Sequence, residues 1–561
     1  MDVAIVAQGI WCRCDTQITR QVMPKKKREY TEEEMAQWEA EEAVKKTQRQ
    51  SAFDSLAAEW TSQNKPFKSD FIGTYECDDV AAADLVRETL GIVVQSDAAC
   101  PGRTPKPMES WADIDILPSW INRSLQEHGW PSPMPVQAQA FPILLAGRNL
   151  IGIAQTGSGK TIAFSLPALI HAEDQRPLAR NDQGPIVLVL APTRELAVQI
   201  AEETEKLTKY SHDSPAHPSG LRTTCFYGGG SKKDQLWRFS GEGSHIVVAT
   251  PGRLLDCIAE GSVSLQRVTY FCLDEADRML DMGFRGDMEQ LSSTIRADRQ
   301  MVFFSATWPK DVESLAHNLC TTGQPVTIRV TAAGKESEEL VAREGIHQDV
   351  VIIEELPAGR GMDKWGKQDE IKKKMLDAHL KKVLASPQAK VMIFVNDKLF
   401  ADSLANKLWE EGVPADCMHG GRPQERRLSI LDCFRKGSLR VLVATDVVGR
   451  GLDIPDVTHV VVYSFNTALE YIHRIGRTGR GVDGTGHALV FFEYTPKNVS
   501  AAEELIDVLE RSGQEVPPQL RVIADEVKSG IRRDFYKDRD DYTKDWQQGY
   551  SKTWQDWGGG W

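Results

Sequence analysis

From about residue 108 the chain alternates short, continuous runs of Val, Ile, Leu and Phe with longer helix-compatible stretches. The first set of runs is IVLVLA at 186–191, HIVVAT at 245–250, TYFCLDE at 269–275 and QMVFFSAT at 300–307. Apolar runs of this length, without alternation, suit parallel strands covered on both faces. Strands spaced by helical segments predict β-α-β units and a doubly wound sheet. The pattern fades over the polar stretch 331–345, as a linker's would. It restarts with DVVIIEE at 349–355, KVMIFVN at 390–396, RVLVATD at 440–446, HVVVYS at 459–464 and HALVFFE at 487–493. The prediction is an α/β chain with two similar parallel-sheet domains in tandem, at 108–333 and 346–515, joined by a linker at 334–345. Residues 356–372 read as a surface insertion near the start of the second domain, and residues 1–107 and 516–561 as disordered or helical tails.

Composition bounds the function only loosely. A length of 561 residues fits two or three domains plus tails. No apolar run is long enough to predict a membrane-spanning helix. Asp2, Gln8, Arg13 and Asp15 break up any secretory signal core. The ten cysteines are scattered, with only Cys12 and Cys14 close together, so reduced thiols are expected rather than a zinc site. A formal charge of −13 excludes a uniformly basic nucleic-acid binder, but not local Lys/Arg contacts to phosphates. Residues 31–46 read as an acidic, solvated helix. The cluster Pro24-Lys25-Lys26-Lys27-Arg28 reads either as a solvated patch or as a nuclear-import signal, with the cytoplasm as the alternative location. Met23 directly before it is an alternative start to Met1.

The polar residues that carry chemistry sit where the chain leaves each strand, and ligands of open parallel sheets bind at those carboxyl ends. Ala154-Gln155-Thr156-Gly157-Ser158-Gly159-Lys160-Thr161 lies at a strand–helix junction. Small residues there let backbone N–H groups wrap a phosphate chain, Lys160 neutralises the outer phosphates, and the Thr161 hydroxyl is placed to ligate Mg²⁺. Asp274-Glu275-Ala276-Asp277 closes another apolar strand. Asp274 would hold Mg²⁺ through water and Glu275 would orient the attacking water. Together these are the two halves of a P-loop nucleotide-hydrolysing site.

The run Asp274–Asp277 resembles the DEAD-box family of RNA helicases, and further motifs follow in family order. Gly129-Trp130-Pro131-Ser132-Pro133-Met134-Pro135-Val136-Gln137 is similar to the family's adenine-reading Q motif, which implies Gln137 as the base-reading amide and Trp111 as the upstream aromatic near the adenine. Trp111, Trp130 and Met134 depart from the residues usual in the family. Pro192-Thr193-Arg194-Glu195-Leu196-Ala197, Gly228-Gly229 and Thr250-Pro251-Gly252-Arg253 match the family's RNA-backbone loops. Ser305-Ala306-Thr307 matches the element coupling hydrolysis to strand separation, and His473 joins it by resemblance. In the second domain Phe394-Val395-Asn396, Gln424 with Arg427, Ala444-Thr445-Asp446 and Arg450-Gly451-Leu452-Asp453 are also in order. The resemblance implies that Asp453 meets the ATP ribose and Thr445 the RNA. In His473-Arg474-Ile475-Gly476-Arg477-Thr478-Gly479-Arg480 it makes Arg477 and Arg480 arginine fingers for the γ-phosphate.

The resemblance covers about residues 108–515 and implies two RecA-like domains using ATP and Mg²⁺. It also implies contacts to the RNA backbone with little sequence preference; the chain is further expected to be a monomer without a membrane, with its tails as the place for protein partners. SATWPK at 305–310, IRADRQ at 295–300 and EVPPQL at 515–520 resemble the branch acting in nuclear transcript processing and ribosome assembly. The alternatives are an ATP-gated RNA clamp that hardly unwinds, a catalytically dead scaffold and a DNA helicase. Retention of Lys160, Glu275, Arg477 and Arg480 speaks against the dead scaffold. The aromatic tail 535–561, with Tyr542, Trp546, Tyr550 and Trp554 four residues apart, reads either as an idle segment or as a stacking surface for RNA or a partner.

Overall fold

The computed structural model describes residues 67–72, 80–95, 104–113, 115–155, 157–177, 184–330, 345–353, 363–446, 454, 456–479, 484–495 and 498–532. The basic cluster at 24–28, the acidic helix at 31–46, most of the linker and the aromatic tail lie outside these residues.

The first sheet has eight strands: β1 (Ile92–Gln95), β2 (Leu150–Ile153), β3 (Val187–Leu190), β4 (Thr223–Phe226), β5 (Ile246–Ala249), β6 (Tyr270–Asp274), β7 (Gln300–Ser305) and β8 (Val326–Val330). Their spatial order is β1-β8-β2-β7-β6-β3-β5-β4. All pairings are parallel except β1 on β8, which is antiparallel with Ile92 opposite Val330. The second sheet has six parallel strands: β9 (Ile346–Ile352), β10 (Val391–Phe394), β11 (Ala415–Met418), β12 (Val441–Ala444), β13 (His459–Val462) and β14 (Gly486–Phe492). Their order is β11-β12-β10-β13-β14-β9.

The continuous apolar runs became the sheet centres, for the reason their pattern implies. β2, β3, β5, β6, β7, β10 and β12 are buried along their whole length. On β10, Met392 and Phe394 enter the core on one face, while Val391 and Ile393 enter the core on the other. Covering both faces requires helices on both, and the crossover helices supply them.

Two sequence expectations change. Residues assigned to the N-terminal tail build the first domain's edge: the helix Val80–Thr89 leads into β1. Arg87 fastens this piece down, donating from Nε to Gln139 Oε1 at 2.8 Å and from Nη2 to the Pro105 carbonyl at 2.9 Å. As an edge strand β1 is buried on one side only, so it carries no long apolar run. The proposed insertion at 356–372 is in its second half the start of the helix Asp363–Val383. Gln368, Lys372, Leu376 and Leu380 fall four apart on its buried face. Two of the four are polar, and Lys372 is buried by pairing with Glu493 at 2.7 Å. That polarity hides the helical period from a hydrophobic pattern.

Candidate nucleotide site and RNA-facing cleft

The loop after β2 reaches the helix Lys160–Glu173 through Gly157 and Gly159, whose φ values of 77° and 88° lie in the left-handed region open to glycine. A Cβ at Gly159 would stand 2.4 Å from Gln137 Nε2, so the close approach also excludes a side chain. Gln137 uses that space: its Nε2 donates to the Gly159 carbonyl at 3.0 Å, and its Oε1 accepts from the Met134 N–H at 2.8 Å. The first bond takes one of the amide's two donors and the second one of its acceptor positions, leaving a donor and an acceptor for a base edge. Lys160 is buried, and its Nζ donates to the Ala154 carbonyl at 3.0 Å.

Asp274 ends β6 inside the same pocket, with Oδ1 accepting the Glu275 N–H at 3.1 Å. Burial pushes its carboxyl up, while the Lys160 ammonium pulls the other way. A carboxylate desolvated beside a phosphate loop suits a cation, so Thr161 and Asp274 fit a Mg²⁺ ion in chemistry. Glu275 is held at φ 55°, strained for a non-glycine residue, and its Oε2 lies 3.8 Å from Arg278 Nη1. Asp277 turns away from the pocket toward β7. Its Oδ2 accepts from Thr307 Oγ1 at 2.6 Å, and its N–H donates to Ser305 Oγ at 3.3 Å. Ser305 in turn accepts the Ala154 N–H on its carbonyl at 3.0 Å. Ser305, Ala306 and Thr307 thus sit in direct bonded sequence between the phosphate loop and the acidic strand end.

The pocket holds about 560 Å³, and its described lining belongs wholly to the first domain. It includes Trp130, His128 and Met134, and from the helix Arg194–Thr208 it includes Gln199, Glu203 and Lys206. Trp111 is not part of that lining. It stands behind Trp130, donating its indole N–H to the Trp130 carbonyl at 3.0 Å and meeting Phe141 edge to face. The aromatic wall of the pocket is therefore Trp130, with Trp111 as its support. Gln155 is exposed at the mouth, and Ser158 Oγ folds back on the Gln155 carbonyl at 2.7 Å. Thr156, Asp453 and Arg480 lie outside the described residues.

A second cleft, about 860 Å³, runs between the domains. Pro192, Thr193, Arg194, Thr250 and Arg253 line one wall, and Gly420, Arg427, Asp446, His473 and Arg474 line the other. Gly229 makes room for Arg194, because a Cβ there would lie 2.3 Å from Arg194 Nη1. Arg253 is braced on Gln235 Oε1 at 2.9 Å, and Pro251 starts the helix behind it. Thr445 directly follows β12, next to Asp446 of the cleft lining, its hydroxyl enclosed without a protein partner. The RNA-contact residues expected from the sequence are thus gathered on or beside one cleft.

The domains are joined by a buried polar latch. Glu195 Oε1 accepts from Gln424 Nε2 at 2.9 Å and from Arg427 Nη2 at 2.7 Å. Arg278 adds a bond from Nη2 to the Asp446 carbonyl at 2.5 Å. Glu195, although within a recognised motif, and Arg278, one residue past the Asp274–Asp277 run, were not singled out as site residues; only the docked pair of domains reveals what they touch. Arg474 forks onto Asp446 at 2.8 and 2.9 Å, and Arg477 is wholly buried with Nε on the His473 carbonyl at 3.1 Å.

A phosphate loop, an Asp-Glu-Ala-Asp strand end and a second parallel-sheet domain across a shared cleft define a DEAD-box helicase, and the chain belongs to that family. The model for the DEAD/DEAH box helicase matches residues 134–315, and that for the helicase conserved C-terminal domain matches 372–482. Among individual proteins, the chain is 43% identical over 424 residues to ATP-dependent RNA helicase DBP2 of Chaetomium thermophilum, covering 75% of this chain and 70% of that one. It is 42% identical over 438 residues to DEAD-box ATP-dependent RNA helicase 30 of Arabidopsis thaliana, covering 78% and 68% respectively. Its fold is similar to Mss116p bound to ssRNA and AMP-PNP, with a TM-score of 0.60 and 27% identity over 75% of this chain and 85% of that one. It is also similar to Dbp5 of S. cerevisiae bound to RNA and ADP BeF3, with a TM-score of 0.58 and 27% identity over 76% of this chain and all of that one.

Proposed function

We propose that this ATP-dependent RNA helicase hydrolyses ATP only when RNA in the interdomain cleft holds its second domain against the first, and that each such cycle opens a duplex locally. The observation that carries this reading is the division of labour between the two sites. The described nucleotide pocket belongs to one domain, whereas both domains line the cleft that would take RNA.

In this reading Gln137 reads adenine against Trp130, while Lys160 and the loop N–H groups hold the phosphates. Thr161 and Asp274 would hold Mg²⁺, which when bound neutralises charge on the phosphate oxygens. Glu275 orients the attacking water. Arg477 and Arg480 supply the remaining positive charge from the second domain, and a finger of this kind is worth about 10³–10⁵ in rate. Thr193, Arg194, Thr250, Arg253 and Thr445 contact the RNA backbone, which gives grip without sequence readout. By linkage, ATP raises RNA affinity by the factor that RNA raises ATP affinity. The Asp277–Thr307 bonds connect the hydrolytic strand end to the Ser305–Thr307 element, which would couple hydrolysis to strand separation.

Glu275→Gln tests the water-orienting role. Turnover should fall by about 10²–10⁴, the usual worth of a positioned acid–base group, while ATP-dependent RNA retention survives. Normal hydrolysis by that variant would remove Glu275 from the mechanism. The buried Glu195–Gln424–Arg427 latch also favours a clamp role, in which the closed state outlives unwinding. A duplex-release assay run beside an RNA-retention assay separates the two. For the segments outside the described residues we propose nuclear import through Lys25–Arg28 and auxiliary RNA stacking by 535–561. Mislocalisation on changing the four basic residues to Ser, and weaker RNA binding on deleting 535–561, are the expected outcomes.

A further inference from the structure

Between the nucleotide pocket and the interdomain cleft stands an ion pair with one member on each. Glu275 lines the pocket, and Arg278, three residues on, lines the cleft. Glu275 caps the short helix Ala276–Asp281, and residues three apart on a helix share a side. Both side chains are buried, Glu275 with 6% and Arg278 with 8% exposed. Glu275 Oε2 is enclosed without a hydrogen-bond partner, and Arg278 Nη1 lies 3.8 Å from it. That is too long for a hydrogen bond, so the contact is electrostatic. Away from water such an attraction is stronger than at the surface. The unbonded carboxylate oxygen therefore takes its direction from the Arg278 charge.

The other arm of the same guanidinium is held by the second domain. Arg278 Nη2 donates to the Asp446 carbonyl at 2.5 Å. Asp446 is itself fixed, because its carboxylate accepts from Arg474 Nε at 2.8 Å and from Arg474 Nη2 at 2.9 Å. The stem of Arg278 is anchored in the first domain, its backbone N–H donating to Asp277 Oδ1 at 2.8 Å. A guanidinium is a planar, rigid fork. Fixing Nη2 on the second domain thus fixes where Nη1 stands beside Glu275.

We propose that Arg278 is a positioning residue for hydrolysis: docking of the second domain, through the Asp446 carbonyl, sets the guanidinium, and the guanidinium sets the Glu275 carboxylate for the attacking water. The inference rests on the reading of Glu275 as the water-orienting group. With the domains apart, the Asp446 carbonyl is gone, the guanidinium turns freely on its stem, and the carboxylate loses its set direction. The Glu195 latch has a different task, since its bonds run to Gln424 and Arg427 and hold the domains together. Coupling of this kind needs an element with two arrangements that both sites bias. The Arg278–Asp446 bond is such an element, because it exists only when the domains are docked. Docking then serves turnover twice, by delivering the arginine fingers and by aligning Glu275.

The test is a double-mutant cycle in the full chain, Arg278→Gln with Glu275→Gln, read by single-turnover ATP hydrolysis at saturating RNA. Retention of labelled RNA with AMP-PNP reports docking in each variant, and ATP affinity reports an intact nucleotide pocket. A small misplacement of a reacting group costs up to about 10²-fold, so Arg278→Gln alone is expected to slow hydrolysis about tenfold or more. RNA retention and ATP affinity should stay at the wild-type level. In the Glu275→Gln background the same change should slow nothing further, because a residue that acts through Glu275 then has nothing to act on. Arg278→Lys keeps the charge but not the fork, and should fall between wild type and Arg278→Gln. If Arg278→Gln fails to bind ATP, the Lys variant is read in its place, with slower hydrolysis as the required result. Wild-type hydrolysis by Arg278→Gln would overturn the assignment. Equal slowing in the Glu275→Gln background, or a loss of RNA retention as large as the loss of rate, would also overturn it, leaving Arg278 a docking contact only. Normal turnover by Glu275→Gln alone would instead remove the premise, a result distinct from normal turnover by Arg278→Gln alone.

Discussion

In the first domain the groups that would hold nucleotide are bonded within the pocket, Gln137 to Gly159 and Lys160 to Ala154, and Asp277 behind it is bonded to Thr307. In the second domain Arg474 and Arg477 are bonded into their own domain, to Asp446 and to the His473 carbonyl. Gln424, Arg427, Arg435 and Asp446 reach across. The difference teaches that the two halves have different physical tasks. A binding half is best rigid and satisfied before ligand arrives, which lowers the ordering cost on binding. A gating half must hold its charge in a fixed place on a body that can leave. Loss of a group that holds the base or phosphates on the first domain should therefore appear in ATP affinity, and loss of a contact between the domains in RNA-stimulated turnover.

The largest effect short of the catalytic groups is expected at the latch. Glu195→Ala leaves Arg427 and Gln424 facing each other in a buried contact, and truncating one partner of such a pair costs about 2–5 kcal/mol. RNA-stimulated turnover should fall by roughly two orders of magnitude, with ATP affinity in the absence of RNA unchanged. Equal loss of both would show that the latch serves the nucleotide pocket as well.

A smaller effect should separate the two tryptophans. Trp130→Ala removes the pocket's aromatic wall and should weaken ATP by about 3- to 10-fold, from a ring contact worth about 0.5–1.5 kcal/mol. Trp111→Phe keeps the packing and loses one hydrogen bond worth about 1 kcal/mol, so its KM should rise less. A larger rise for Trp111→Phe would put Trp111 against the base.

The acid response should fall mainly on the first domain. His171 and His245 are both lowered to about 3, each chiefly by burial. Both stay neutral when folded, so below pH 6.5 the unfolded chain binds more protons. The stability they contribute is complete above that pH and is lost as pH falls through 6.5 toward 3. Each can contribute a slope of up to about 1.4 kcal/mol per pH unit. Melting curves between pH 7.5 and 5 should show this loss, and His245→Gln should flatten it.

Central strands, the phosphate loop and the acidic strand end were legible because their signals are local: unbroken apolar runs, and motifs at strand ends. Three of the four edge strands were not; the fourth, β9, was read from its apolar run at 349–355. β1, β4 and β11 bury only part of each strand, so Thr223-Thr224-Cys225-Phe226 does not stand out from a loop. The helix from Asp363 was missed because Lys372 is buried by an ion pair with Glu493, a partner 121 residues away. The same holds for the site. Lys160 follows from the phosphate-loop motif and Gln137 from the family resemblance, whereas the Glu195 contact spans 229 residues and exists only once two domains meet. Trp130 was seen as a departure from the family's pattern, but its place in front of Trp111 is a matter of packing.

The central claim is that binding resides on one domain and turnover requires the other. Its most direct test measures equilibrium ATP binding and single-turnover hydrolysis with saturating RNA in two full-length variants, Lys160→Ala and Arg477→Lys. Lys160→Ala should lose both. Arg477→Lys should bind ATP within a few-fold of wild type and hydrolyse it about 10³-fold more slowly, since a lysine cannot reproduce the guanidinium fork. An Arg477→Lys variant that turns over at the wild-type rate, or loses ATP binding as fully as Lys160→Ala, would contradict it.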